Sequence, residues 1–372
     1  MRWVGLPGKS FVPLLVGFGC TVPAISATRT LDSRKDRFMT IFMAPFMSCG
    51  ARLPVYALFA AALFPNRAGT VVFGLYMLGM VLAIATGLLL KRTLFQGEYS
   101  HFVMELPPYH APRIGAILRL SWTRLRVFVK RAGITITVVV TILAVMNSFG
   151  TDGTFGNEDT DRSVLAGIGR AVTPVFEPMG IENDNWPATV GLFTGLFAKE
   201  AIVGTLSALY SQNDAGDEEP FDLWGGLGAA FASIPESFAG LGGTLRDPLG
   251  TGLVQESPEG ISRELEVDNT LFSRMRSMFS PGAALAYLVF VLVYFPCIAA
   301  FGAAVQEMGV GYGSLLAAYL TVLAYILGVL VYQFTSGPQL LPVVGALAGL
   351  LAIGVLFAVI GRRTRAGSQA QA

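Results

Sequence analysis

Three cysteines, Cys20, Cys49 and Cys297, carry the most reactive chemistry in this chain, and each stands beside helix breakers inside an apolar run. Cys20 lies in Gly17-Phe18-Gly19-Cys20-Thr21-Val22-Pro23. Cys49 lies in Pro45-Phe46-Met47-Ser48-Cys49-Gly50, and Cys297 directly follows Pro296. Gly19, Pro23, Pro45, Gly50 and Pro296 are the breakers. Backbone at membrane depth leaves helical geometry only where protein buries it or where it lines a wet cavity, and transporters use such breaks to place binding groups near the bilayer midplane. A freed carbonyl beside a thiol suits a borderline-soft divalent cation. Taken singly, each cysteine reads equally as a small buried hydrophobe. The three are far apart, odd in number and form no CxxC pattern, which argues against a disulfide framework.

Charges inside apolar runs are the second signal: Arg52, Lys199 and Glu200. Intramembrane charges face protein or water and are candidates for function. Glu200 reads as a cation ligand or as the partner of Arg52 or Lys199. The two cations read as supporting charge, with a structural ion pair or snorkelling as the alternative. Glu307, at the end of a span, reads as a surface residue. Met43, Met47 and Met308 offer thioethers, but methionine in an apolar helix is ordinarily packing. Gly8-Lys9-Ser10 resembles the end of a phosphate-binding loop, yet the motif needs glycine at position 3, which is Trp3. His101 and His110 have no zinc-ligand spacing.

These residues need membrane-spanning elements to position them, and the composition supplies them. Of 372 residues, 53% are hydrophobic and 14% charged, and the mean hydropathy is +0.59. A soluble domain carries about 25% charged residues. A net charge of +1 suggests no nucleic-acid partner. Met1 to Ser10 does not read as a cleavable signal peptide. Runs of about 20 apolar residues cross a bilayer. The runs 11–28 and 38–64 are interrupted by Pro and Gly; 68–90 and 132–151 are clean; 163–178 is short; 187–210 carries Lys199 and Glu200; 281–306 is interrupted at Pro296; 313–334 and 340–361 follow. The expected fold is all-α, a polytopic transmembrane helix bundle with broken or re-entrant gate-type helices.

The expected organisation is a first gate-type membrane region (1–90), a cytoplasmic loop with an amphipathic helix (91–131), a central membrane core (132–210), a polar connection (211–280), a second gate-type membrane region (281–361) and a disordered tail (362–372). In the loop, Ile114, Leu118, Trp122, Leu125 and Val129 share one helical stripe among basic residues, the pattern of an interfacial helix. The polar connection holds two stretches with helical pattern, 221–240 and 258–276. Arg29, Arg34, Lys35 and Arg37, the basic loop 91–131 and the tail Arg362–Arg365 are placed in the cytoplasm by the positive-inside rule. Counting every apolar run after 131 as a crossing returns the tail to the cytoplasm. A re-entrant 163–178 breaks that parity unless a second segment is also irregular.

The motif Gly17-Phe18-Gly19-Cys20-Thr21-Val22-Pro23-Ala24, followed by Ala27-Thr28-Arg29-Thr30-Leu31, resembles the membrane domain of the ferrous iron transport protein B family. The resemblance continues through Ala44-Pro45-Phe46-Met47-Ser48-Cys49-Gly50-Ala51-Arg52-Leu53, Phe102 to Pro107 and Thr173-Pro174-Val175-Phe176. It then runs from Asp184-Asn185-Trp186 through Ala198-Lys199-Glu200 to Val203-Gly204-Thr205-Leu206, and on to Tyr294-Phe295-Pro296-Cys297. It covers most of the chain and is weakest in 211–276 and the last two spans.

The resemblance implies a multi-pass protein of the bacterial inner membrane that moves Fe(II) past its cysteines. On that basis Cys20, Cys49 and Cys297 are expected to line the path. Glu200 is expected to assist as a hard ligand or counter-charge, with Arg52 and Lys199 balancing charge while the path is empty. Expected partners are the lipid bilayer, Fe(II), a separate G domain or small cytoplasmic iron-transport accessory proteins, and a second copy of the chain. The family also implies a GTP-binding domain ahead of the membrane region. This sequence starts inside that region, so GTP binding and enzyme activity are not expected of it. The alternatives are a fragment that transports only when assembled with the rest, and, more weakly, transport of another solute.

Overall fold

The computed structural model describes residues 1–95, 113–150, 152–156, 160, 162–211 and 269–369. Among these residues every regular element is a helix, with two isolated bridges, Phe149 to Phe155 and Gly150 to Ser163. The first half runs α1 (Phe11–Gly17), α2 (Thr21–Ala27), α3 (Arg34–Met43), α4 (Leu53–Leu63), α5 (Ala68–Thr93) and α6 (Ile114–Ser148). Then follow α7 (Val164–Phe176), α8 (Trp186–Phe197), α9 (Ala201–Ser211), α10 (Asn269–Met278), α11 (Pro281–Val293), α12 (Ile298–Met308), α13 (Val310–Ser336) and α14 (Leu340–Gln369). Five stretches are long and apolar enough to cross a membrane: Arg34–Leu63, Ala68–Thr93, Pro281–Met308, Val310–Ser336 and Leu340–Arg362. The chain is the expected all-α polytopic bundle.

Four helices are broken, and they break in two ways. α3/α4 and α11/α12 run on as interrupted spans, with breaks at Met47–Cys49 and Tyr294–Cys297. α1 and α2, by contrast, fold back on each other, and so do α8 and α9. In the second hairpin the Thr194 and Thr205 hydroxyls meet at 3.1 Å. Gly191 and Gly195 have no side chain to hold Leu206 and Ile202 away, so the two helices pack closely. The run 187–210, counted as a crossing from its apolarity, is therefore a re-entrant hairpin with Lys199 and Glu200 at its tip. α7 has 13 residues, or ~20 Å at 1.5 Å per residue, against a core of ~30 Å. With both segments short of a crossing, the even count is kept.

The centre of the bundle is built from α4 and α11. Both are apolar on every side, which leaves a helix no solvent face and drives it inward. Leu53, Val55 to Ala62 and Gly282 to Ala284 are all buried, as is Ala286 to Tyr294. Phe59 of α4 stacks on Tyr287 of α11 with centroids 4.7 Å apart, and Phe279 meets both edge-on. α13 packs along α11, and α14 lies outside α13 and α5, exposing Leu340, Leu347, Leu351 and Val355. Gly309, at φ +85°, turns the chain from α12 directly into α13. L side chains rarely adopt that conformation.

Two boundaries differ from the sequence reading. The break drawn at residue 131 falls inside α6, which runs unbroken for 35 residues because no Pro interrupts it. Its stripe Ile114, Leu118, Trp122, Leu125 and Val129 is exposed. α14 continues to Gln369, through residues read as a disordered tail, since Arg362 to Gln369 contains no proline and only one glycine to stop it. His101, His110, the Phe102–Pro107 motif, the stretch 221–240 and most of 258–276 lie outside the described residues.

α5 presses on the second break through Gly79: a Cβ there would stand 2.6 Å from the Phe46 carbonyl oxygen. Gly79→Ala should therefore cost about 1–3 kcal/mol, the usual penalty of overpacking. Gly74→Ala on the same helix, with nothing within 4 Å of its Cβ, should be neutral or gain up to about 1 kcal/mol. Thermal unfolding of the detergent-solubilised protein, followed by tryptophan fluorescence, separates the two.

Candidate functional site

The first break follows from Pro23. In a continuous helix the N–H of residue 23 would bond to the carbonyl of residue 19, and proline has no N–H. The Gly19 carbonyl is thereby freed and accepts the Gly50 N–H at 3.2 Å, which joins the first break to the second. Gly17 allows this approach, because a Cβ there would stand 3.1 Å from Met47 Cβ. Cys20 is extended (φ −154°, ψ 133°) and occupies the N-cap of α2.

The second break leaves carbonyls free in the turn that follows α3, and the fourth leaves them free at the end of α11, where the last four carbonyls of a helix have no partner within it. Buried cations meet them. Arg52, 1% exposed, donates from Nη1 to the carbonyls of Pro45 at 2.9 Å and Met47 at 3.2 Å. Lys199, 2% exposed, reaches from the tip of the α8/α9 hairpin to the Val291 carbonyl at 3.3 Å. Its Nζ also lies 3.5 Å from the centroid of the Tyr294 ring, a cation–π contact that gains strength away from water. The partners of both cations are thus carbonyl oxygens and a ring. Glu200, their alternative partner from the sequence, is exposed.

The predicted ligands sit at the opposite ends of the same breaks. Cys20 caps α2, Cys49 caps the 3₁₀ turn Gly50–Arg52 that leads into α4, and Cys297 caps α12. Glu200 directly precedes α9. All four stand at helix starts, where the first backbone N–H groups have no partner within the helix. The four breaks also converge. Cys20 is close enough to interact electrostatically with Cys49, Cys297 and Glu200, and Lys199 with Arg52, Cys49 and Cys297. All three cysteines are free. Among the described residues, no three His, Cys, Asp or Glu side chains gather closely enough to hold one metal ion together. The arrangement offers successive contact points rather than a closed cage.

Some participants were not singled out from the sequence. The Tyr294 hydroxyl donates to Leu192 O at 3.4 Å and that of Tyr287 to Ala188 O at 3.2 Å, so one tyrosine of α11 and the one that caps its end hold the α8 arm of the hairpin. Their position, two and nine residues ahead of Pro296, was the available signal. Glu307 is the larger correction: its side chain is 6% exposed and accepts from Arg29 Nε at 2.5 Å. It is the one charged residue between Arg276 and Arg362, with no local cation to pair with.

Two family profiles match the chain. The one described as ferrous iron transport protein B C terminus covers residues 72–124. The one described as nucleoside recognition, a gate profile, covers residues 1–63 and 129–245. The Fe(2+) transporter FeoB of Escherichia coli (strain K12) is 44% identical over 371 residues, 99% of this chain and 47% of the relative. The protein of the same description from Legionella pneumophila (strain Paris) is 44% identical over 348 residues, 91% of this chain and 45% of the relative. The chain spans about half the length of these curated relatives. No solved structure matches it. Fold and site define an integral helical membrane protein whose broken helices bring their breaks together. The chain belongs to the ferrous iron transport protein B family, of which it carries membrane part.

Removing either cation strands buried carbonyls, at about 1–3 kcal/mol for each group left unsatisfied. Arg52→Leu, which strands two, should lower thermal stability more than Lys199→Met, which strands one. Arg52→Lys should fall between Arg52→Leu and the unaltered chain, because a single ammonium reaches both carbonyls less well than the guanidinium fork. Equal melting temperatures for Arg52→Leu and the unaltered chain would remove the capping role.

Proposed function

We propose that this chain forms the membrane pathway for Fe(II), with Cys20, Cys49 and Cys297 as successive soft contacts and Glu200 as a hard one. The observation that carries the reading is the convergence of four breaks, each presenting a thiol or carboxylate at a helix N-terminus. Thiolate favours Fe(II) over Mg(II), which prefers oxygen and gives up water reluctantly. Arg52 and Lys199 neutralise the carbonyl ends on the other side of the breaks, so the thiol ends remain the attractive positions for a cation. The reading assigns the chain passage of the ion and not hydrolysis of GTP. It places the chain in the bacterial inner membrane, with 29–37, 91–131 and the last residues of α14 on the cytoplasmic side.

A second reading is favoured by one fact: the chain spans 47% of its Escherichia coli relative. On that reading passage requires the remainder of such a protein, including a G domain, with accessory proteins or a second copy completing the assembly.

The experiment is anaerobic uptake of radioactive Fe(II) by cells lacking their own ferrous system and expressing this chain. Saturable uptake above vector control supports a working pathway. In that background Cys20→Ser or Cys49→Ser should reduce uptake about tenfold or more, since loss even of outer-shell partners of a metal costs 10–100-fold. Undiminished uptake by the triple Cys→Ser variant would sink the ligand assignment. No uptake by chain present in the membrane, restored when the remaining half is supplied, selects the second reading.

A further inference from the structure

We propose that Arg29 and Glu307 form an inner gate, an ion pair that ties together the ends of the two half-helices starting at Cys20 and Cys297. The inference rests on the transport reading above for what passes the gate, but its geometry does not. α2 begins at its Cys20 cap and continues through the 3₁₀ turn Thr28–Thr30, and α12 begins at its Cys297 cap and ends at Met308. The two pack side by side. α2 with its turn has 7 and 3 residues, and α12 has 11. Each is therefore ~16 Å long, about half of a ~30 Å hydrocarbon core. With the ion pair at one membrane surface, both cysteines stand near the midplane.

The pair joins residues 278 apart in sequence. The crossing count puts both on the same side: α13 and α14 are two crossings, so Glu307 shares a face with the end of α14. That is the face of the basic segment Arg29 to Arg37. The two partners are unequally held. The Glu307 side chain is 6% exposed, whereas that of Arg29 is 63% exposed. Arg29 is thus the member open to water, and Glu307 the buried one. When Arg29 leaves, α2 and α12 lose their tie, and a carboxylate is presented at the inner end of the seam between them. A divalent cation leaving Cys20 or Cys297 then meets an oxygen ligand on its way out. Glu307 is in this view a further residue of the path, and Arg29 the bolt that covers it.

The test reads thiol access and needs no iron. Inside-out membrane vesicles containing the full chain are treated with a charged, membrane-impermeant maleimide, and labelling of each cysteine is followed by mass spectrometry. Cys297 should label slowly in the unaltered chain. It should label several-fold faster in Arg29→Gln and Glu307→Gln, and slowly again in the charge-swapped Arg29→Glu/Glu307→Arg. Both single variants labelling at the unaltered rate would overturn the gate. So would faster labelling that the swap fails to reverse, or that is equally fast from the outer face, since either marks general loosening. Iron uptake does not enter, so failure of the gate and failure of the transport reading are distinguishable.

Discussion

The capping of freed helix carbonyls by buried cations is the interaction on which the rest of this structure depends. A helix cannot stop inside a bilayer without leaving carbonyls unpaired, and no water is there to take them. Arg52 solves this within its own broken span, seven and five residues from the carbonyls it holds. Lys199 solves it across the bundle, from the tip of one broken element to the end of another. A third freed carbonyl, that of Gly19, is met by the Gly50 N–H. These contacts are also tethers. Arg52 holds its own break closed, Gly50 binds the first break to the second, and Lys199 binds the third to the fourth.

Once the carbonyl ends are capped, the polarity of each break is settled. At three breaks the preceding half-helix presents a negative end met by a cation or an N–H, and at the α8/α9 break the Leu192 carbonyl is met by the Tyr294 hydroxyl. The following half presents a positive end, and there the chain places Cys20, Cys49, Glu200 and Cys297. The helices at the centre of the bundle, α4 and α11, are those with no polar face. Small residues allow close approach at the breaks: Gly79 against the Phe46 carbonyl, Gly195 against the Tyr294 hydroxyl. Two hairpins and two interrupted spans, each pair followed by an unbroken helix (α5 or α13), give the bundle the repeated plan common among secondary transporters.

Much of this was legible before any coordinates. Proline and glycine beside all three cysteines marked the breaks, because both residues act on the backbone and do so locally. Apolar run length marked the spans. The hairpin character of 187–210 was not legible, because apolarity is the same for a crossing and for two half-crossings. The close contacts of Gly191 and Gly195 decide between them, and these involve residues of another arm. Arg52 and Lys199 were visible as charges in the wrong medium, but the natural expectation for a buried charge is an opposite charge. Their true partners are backbone carbonyls, which no side-chain pattern records. Glu307 failed for a similar reason: its cation lies 278 positions away.

The same electrostatics bears on how a divalent cation would move through the proposed pathway. Conduction needs binding strong enough to admit the ion and weak enough, over several sites, to release it. Bare carbonyl ends at four breaks would bind a hard cation firmly and without regard to its softness. With Arg52 and Lys199 already on those oxygens, the carbonyl ends are occupied and the thiols remain the open contacts for a cation. The cations therefore do two things with one geometry. They make a broken helix tolerable in lipid, and on the proposed pathway they take up the oxygens that would favour a hard cation, leaving preference among ions to the sulfur.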